Sequence, residues 1–176
     1  MALRYIGQKL AQQIDEELMS ASGAFSIDQL MELAGLSCAQ ALAKSFSVQT
    51  HKRRGWTGGA DTGFSFHPPV RAPFDTVLTA LVESHKPVVS VDIPSGWGVE
   101  EGRQRLTNTD GNEVPTIDPE VLVSLTAPKE GVRSYTGKHW LGGRFVPDDL
   151  AKRHQLNLPA YPGVDQVVEL PPPGKL

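Results

Sequence analysis

The stretch Val88–Ile93, which reads VVSVDI, decides the class of the fold. Its apolar residues are all β-branched and nearly continuous, as in a strand that is buried on both faces of a parallel sheet. The segment just before it, residues 74–81, carries apolar residues at helical spacing. A helix that leads into such a strand predicts an α/β fold in which helices cover the sheet.

Further elements are predicted on both sides of this strand. Apolar residues at four-residue spacing predict an amphipathic helix over residues 7–19. Ser26 and Gln29 form a capping box that begins a second helix. Val121–Leu125 repeats the apolar pattern of a buried strand, and Gly143–Val146 predicts a weaker third strand.

Two segments carry no predicted regular structure. The polar, glycine-containing segment 100–119 is predicted to be a surface loop without a function. Residues 159–176 contain five prolines and are predicted to form an extended tail. We therefore expect a single domain over residues 1–158.

Composition excludes several classes of protein. The formal net charge of −3 gives no overall attraction to nucleic acid. No apolar run approaches the roughly 20 residues that a membrane-spanning helix needs. Cys38 is the single cysteine, which suits a reducing compartment such as the cytoplasm, and its small helical neighbours predict a buried residue rather than a nucleophile. The histidines lack the spacing of a metal site.

The turn after Val88–Ile93 is the best candidate for a functional site. Open parallel sheets bind ligands at the carboxyl ends of their strands. Asp92 contributes a carboxylate, Ser95 a hydroxyl and Gly96 a tight backbone, a set that suits a ribose, a cation or a general base, although such a turn also occurs without a function. The glycine-rich segment 58–63 suggests a phosphate-binding loop, but no strand precedes it.

Several blocks of the chain resemble the NAD(P)H-hydrate epimerases. They follow in the family's order: Phe25–Ala39, Gly63–Phe66, Val70–Phe74, Ser90–Trp97, Leu125–Lys129 and Leu141–Pro147. The resemblance implies a three-layer, Rossmann-like parallel sheet with flanking helices. It also implies an isomerase that interconverts the R and S hydrates of NADH and NADPH, so that a separate NAD(P)H-hydrate dehydratase can repair them. We further expect potassium as the cofactor, a cytoplasmic or mitochondrial location and a homodimer.

The resemblance assigns roles to residues by position. Asp92 corresponds to a substrate-binding residue, and we expect it to be catalytic. Ser95 corresponds to a potassium ligand. The expected substrate-binding loop consists of Gly63, Phe64, Ser65, Phe66, His67, Pro68 and Pro69.

The chain departs from the family in its centre. It has no counterpart of the family's Asn-Asn-Gly-Gly-Asp loop, which contacts substrate and potassium, and Gly59 stands where the family has a potassium-binding aspartate. The sequence therefore predicts a Rossmann-like fold truncated centrally, with a junction at residues 55–62 and marginal stability. The alternative is a catalytically inactive, truncated variant that acts as an interaction partner or is a non-functional product of the same gene. Animal members of the family are associated with apolipoprotein A-I binding.

One substitution follows from these assignments. Asp92→Ala, in a version that contains the missing segment, is expected to remove most of the epimerisation and to leave the fold intact.

Overall fold

The computed structural model describes residues 2–46 and 68–172 of the chain. In these residues the elements are, in chain order, α1 (Gln8–Leu18), α2 (Ile27–Ser45), α3 (Phe74–Glu83), β1 (Val89–Val91), β2 (Trp97–Gly98), β3 (Gly102–Arg103), β4 (Leu106–Thr107), β5 (Glu113–Val114), β6 (Val121–Leu125), a 3-10 helix (Glu130–Val132), β7 (Lys138–Gly142), α4 (Asp148–Arg153) and β8 (Val167–Glu169). The predicted α/β class is confirmed. No helix within these residues is long and apolar enough to cross a membrane.

A four-stranded sheet in the order β1-β6-β7-β8 forms the centre of the fold. β1, β6 and β7 run parallel, and β8 pairs antiparallel with β7. Side chains alternate between the two faces of a strand, so Val89, Val91 and Val123 share one face. There they pack against Cys38 and Ala41 of α2. Burial raises the pKa of the Cys38 thiol to about 11, which confirms the predicted packing role of this residue.

The opposite face of the sheet is covered by the chain between β1 and β7. Ile93 and Leu122 pack there against Trp97, Val132 and Tyr135. α1 belongs to a separate apolar cluster, in which its buried Ile14 and Leu18 contact α4 and the segment after it. The layers are thus α2, the sheet, and a layer made largely of short strands and turns.

The sequence predicted the first two helices correctly. α1 buries the stripe expected of an amphipathic helix. α2 begins at the predicted capping box: the Ser26 hydroxyl accepts a hydrogen bond from the amide of Gln29 at 3.2 Å, and the Gln29 side chain accepts one from the amide of Ser26 at 2.8 Å. This box satisfies two amides that a helix start would otherwise leave unpaired.

Two predictions about strands were wrong. The third strand is Lys138–Gly142, not Gly143–Val146. Gly143 ends the strand at φ +104, a conformation that favours glycine, and Phe145 and Val146 pack into the α1 cluster instead. The tail over residues 159–176 contains β8, because its prolines lie on either side of Val167–Glu169 and leave those backbone groups free to pair with β7.

The segment 100–119 was also predicted wrongly as a plain surface loop. It contains β3, β4 and β5, and β4 pairs with β5. Leu106, Val114 and Ile117 are buried against Leu78 of α3. The segment therefore forms a small apolar cluster that seats α3, which no periodic pattern in the sequence indicates.

Within the described residues, β1 forms one edge of the four-stranded sheet. The amide of Asp92 bonds the carbonyl of Val123 at 2.8 Å, and the carbonyl of Val88 accepts from Val121. Backbone groups alternate in direction along a strand, so the amides of Val89 and Val91 point away from β6. No strand in the described residues pairs with β1 on that side.

His139 predicts a measurable dependence of stability on pH. It is buried beside Tyr135, its Nε2 lies 2.8 Å from the Ser124 hydroxyl, and burial lowers its pKa to about 4. The unfolded chain takes up a proton near pH 6.5 and the folded chain does not, so stability falls as the pH drops from 6.5 to 4, by up to about 3 kcal/mol. We expect His139→Asn to flatten this slope in urea unfolding measured across that range.

The matched control for this prediction is His85→Asn, at an exposed position whose φ of +50 asparagine tolerates. It should leave the slope unchanged. Equal slopes for both variants and the parent would contradict the assignment to His139.

Candidate active site

A buried ion pair lies where β1 and β6 end. Asp92 follows β1 directly, and its Oδ1 accepts hydrogen bonds from Nζ of Lys129 at 2.6 Å and from the amide of Leu125 at 2.8 Å. Nζ of Lys129 also donates to the carbonyl of Leu125 at 3.0 Å. The Lys129 side chain is only 4% exposed, whereas that of Asp92 is 20% exposed. The carboxylate is thus fixed in position and still reaches solvent.

The backbone around this pair is strained. Asp92 has φ +61 and Thr126 has φ +68, each in the left-handed region that side chains disfavour. For a β-branched residue such as Thr126 this is unusual, and each strained residue costs on the order of 1–3 kcal/mol. Gly143, which directly follows β7, lies close to the backbone of Thr126. A Cβ at position 143 would lie 2.5 Å from the amide nitrogen of Thr126, which is too close. Strain of this kind concentrates at sites where side chains must be aimed at a ligand.

A pocket of about 240 Å³ opens over the ion pair. Its polar lining consists of Asp15, Asp92, Thr126 and Lys129. Its apolar lining comes largely from α1, α2 and the residues near them: Ile6, Ala11, Met19, Ile27, Leu30, Met31, Ala34, Leu125 and Phe145. Sites for whole drug-sized ligands usually enclose about 300–1,000 Å³. This pocket therefore matches one ring of a larger molecule.

Met19, Ile27 and Met31 form an apolar wall that remains open to solvent. Their side chains line the pocket, and all three are among the exposed large hydrophobic residues. An exposed apolar surface beside a few convergent polar groups is the usual composition of a small-molecule site. The wall thus offers a face on which a flat ring can lie, above the ion pair.

Sequence reasoning missed two of the polar groups. Lys129 is 37 residues from Asp92 in the chain, and the parallel pairing of β1 with β6 brings them together. Asp15 was read as part of the polar face of α1. Burial raises the pKa of its carboxyl, Lys129 acts in the opposite direction, and Asp92 adds to the rise. The signal that could have found Lys129 is its place after the second buried strand, at the edge where Asp92 was expected.

Only some of the predicted site residues that the structure describes line the pocket. Asp92 lies in the pocket, as expected for the carboxyl end of β1. Ser95 lies in the turn that follows, and Pro68 and Pro69 are exposed; none of the three lines this pocket. Gly63, Phe64, Ser65, Phe66, His67 and the junction 55–62 fall outside the described residues.

Within the described residues, the side chains around Ser95 do not make up the potassium site that the family implies. An alkali ion needs several convergent oxygens, and desolvating it without them is unfavourable. Asp92, the carboxylate of the same turn, already holds the ammonium of Lys129. Residues 2–46 and 68–172 contain no group of three or more His, Cys, Asp or Glu side chains placed to hold a metal. Ser95 is the one residue of this chain that the resemblance assigns as a potassium ligand.

We therefore predict that potassium does not stabilise this chain specifically. The melting temperature in potassium chloride should equal that in caesium chloride at the same concentration, because general screening is the same for both ions. Differential scanning calorimetry with the two salts measures this. A rise of several degrees in potassium alone would show that other oxygens complete a site.

Comparison with known proteins agrees with this architecture. A family model described as YjeF-related protein N-terminus matches residues 60–131. The chain is 47% identical to the NAD(P)H-hydrate epimerase of Cryptococcus neoformans over 246 residues, covering 97% of this chain and 99% of that protein. The chain belongs to the NAD(P)H-hydrate epimerase family.

Other members of the family match over a similar length. The NAD(P)H-hydrate epimerase of Schizosaccharomyces pombe is 35% identical, and the match covers 97% of each chain. That of Caenorhabditis elegans is 36% identical, and the match covers 94% of each chain. The protein in the crystal structure of yeast ynu0, YNL200c, is 27% identical to this chain in sequence. The two structures match with a TM-score of 0.80, over 96% of this chain and all of that one. The Rossmann-like fold expected for the epimerase family is therefore confirmed.

The alignment also shows that many positions of a relative have no counterpart in this chain. It extends over 246 residues with the Cryptococcus protein, whereas this chain has 176, so at least 70 positions of that epimerase have no counterpart here. Nearly all of both proteins is covered, which places the gap inside the alignment.

Proposed function

We propose that the chain epimerises the hydrates of NADH and NADPH at the Asp92–Lys129 pocket. The observation that carries the proposal is the position of this ion pair: it lies at the carboxyl ends of two parallel strands, under an apolar wall, in a member of the NAD(P)H-hydrate epimerase family. Rossmann-like sheets place dinucleotides at this edge. The relatives named above are NAD(P)H-hydrate epimerases, and the pocket contributes part of the chemistry that such a reaction needs.

The chemistry follows from the structure of the hydrate. Water that adds to the enamine of NADH leaves its oxygen on the carbon next to the ring nitrogen. Inversion of this carbon requires the carbon–oxygen bond to break and to form again on the other face of the ring. An oxygen that leaves must gain a proton, and a water that attacks must lose one, so the site needs positioned acid and base groups.

Asp92 and Lys129 meet part of that requirement. The hydrogen bonds from Leu125 and Lys129 hold one oxygen of the Asp92 carboxylate, which leaves the other available to accept a proton from water. Lys129 is the cation that pairs with this carboxylate. The apolar wall of Met19, Ile27 and Met31 excludes water from one side of a bound ring.

The pocket takes only the reacting ring. At about 240 Å³ it is too small for a dinucleotide, so the ribose and pyrophosphate must lie outside it. The product is an epimer with the same atoms, which a dehydratase acting on one hydrate only can remove.

The decisive experiment is direct. The purified chain is mixed with one separated epimer of hydrated NADH, and chiral chromatography follows the appearance of the other. Spontaneous epimerisation in buffer and an equal amount of Asp92→Asn set the background. A rate above both supports the proposal. A rate equal to the buffer rate, from a chain that unfolds cooperatively, would instead leave the inactive interaction partner as the function.

A further inference from the structure

We propose that Asp15 is the second acid–base residue of this pocket and acts on the face of the substrate ring opposite Asp92. The proposal rests on the proposed function and names a residue that the resemblance did not assign. Asp15 lies on α1 and Asp92 follows β1, so the two residues line the pocket from different walls. Lys129 lines the same pocket and pairs with Asp92 at 2.6 Å.

The surroundings of the Asp15 and Asp92 carboxylates differ, and this difference suits them to different roles in proton transfer. Asp92 accepts hydrogen bonds from a buried ammonium and from a backbone amide, which fix one of its carboxylate oxygens in position. Asp15 keeps an exposed surface, and partial desolvation raises the pKa of its carboxyl. The charged groups that face it are Lys129, which lowers that pKa, and Asp92, which raises it. Two carboxylates that line one pocket from different elements can serve as one acid and one base.

The step balances in atoms and electrons. The protonated carboxyl of Asp15 gives its proton to the hydroxyl on the hydrated carbon, the carbon–oxygen bond breaks, and water leaves. The lone pair of the ring nitrogen forms the carbon–nitrogen double bond. A water on the opposite face then attacks this carbon and gives its proton to Asp92. The nitrogen regains its lone pair, and the product is the other epimer.

The reverse reaction uses the same groups with their roles exchanged. After one turnover Asp15 is charged and Asp92 is protonated, so the second epimer loses its hydroxyl to Asp92 and receives water from the side of Asp15. Solvent can also restore the first state, because Asp15 is exposed and Asp92 is partly so. Two groups on opposite faces explain how one pocket can accept both epimers.

The test uses Asp15→Asn in the full chain, with Glu16→Gln as the matched control. Glu16 is the next acidic residue of α1, is exposed and does not line the pocket. General acid–base catalysis contributes about 10²–10⁴-fold, so Asp15→Asn should lower kcat at least about 100-fold, with little change in KM. It should also remove one limb of the pH profile of kcat. Glu16→Gln should keep the parental rate and profile.

Two further measurements separate catalysis from structure. Asp15→Glu, which keeps the carboxyl, should retain more of the rate than Asp15→Asn, and urea unfolding should show similar stability for all variants. In water enriched in oxygen-18, epimerisation should incorporate the label into the hydroxyl, and Asp15→Asn should slow incorporation and inversion equally.

The possible failures are distinguishable. If the parent epimerises the hydrate and Asp15→Asn matches Glu16→Gln, the assignment of Asp15 is overturned and the proposed function stands. Inversion with full retention of the original oxygen would overturn the step itself. If the folded parent has no activity above buffer, the proposed function fails and the assignment of Asp15 falls with it.

Discussion

Replacing Asp92 with alanine is expected to destabilise the protein by about 3–5 kcal/mol, as is usual when one member of a buried ion pair is removed. Lys129 would keep its charge in a position where its side chain is only 4% exposed. The amide of Leu125 would lose its acceptor as well. Alanine is also less tolerant than aspartate of the φ of +61 at this position. Urea unfolding with linear extrapolation measures the change.

An exposed ion pair of the same chain provides the control. Arg103 and Asp118 bond at 2.8 Å, but their side chains are 51% and 62% exposed. Asp118→Ala should therefore cost no more than about 1 kcal/mol. Similar unfolding midpoints for Asp92→Ala and Asp118→Ala would contradict a buried, interdependent pair at the site.

The double variant gives a sharper result. Lys129→Met removes the ammonium and leaves an apolar chain of similar length, so in the Asp92→Ala background it should recover part of the lost stability. The two single changes are thus expected to be non-additive, because the residues are in contact. Epimerisation should stay low in the double variant, which separates the structural cost from the loss of the reactive carboxylate.

This expectation differs from that drawn from the sequence, in which Asp92→Ala left the fold intact. The sequence placed Asp92 correctly, because a β-branched run followed by a polar turn marks the carboxyl end of a buried strand. The sequence could not identify Lys129 as the ion-pair partner of Asp92. Contact between positions 92 and 129 depends on which strands are neighbours, and the hydrophobic pattern of a strand does not contain that information.

Other parts of the fold show the same limit. Helices α1 and α2 were predictable because their apolar stripe and capping box are local. β7 was misplaced because His139 and Lys138 interrupt its apolar pattern, although His139 is buried and bonds Ser124. β8 was missed because prolines on both sides obscured a short edge strand whose stability comes from pairing with β7. Asp15 was missed because a polar helix face can turn toward a pocket as well as toward solvent.

The largest expected effect of the missing segment is on the stability of β1. The amides of Val89 and Val91 point away from β6 and lie in buried residues. Each buried group without a partner costs about 1–3 kcal/mol, against a net stability of about 5–15 kcal/mol for a typical domain. Hydrogen exchange followed by NMR should therefore show faster exchange at Val89 and Val91 than at Ser90, whose amide faces β6 in the parallel register.

Restoring the segment should reverse this pattern. A chimera that carries the corresponding residues of the Cryptococcus epimerase at the junction 55–62 should protect Val89 and Val91 and raise the free energy of unfolding by several kcal/mol, of the order of two paired amides and the surface that covers them. A glycine–serine insert of equal length should do neither, because it supplies length without strands. If Val89 and Val91 are already as protected as Ser90 in the original chain, other residues complete this edge. The shortened sheet would then be a stable form of the fold, and the site at its carboxyl ends would keep its geometry without the segment.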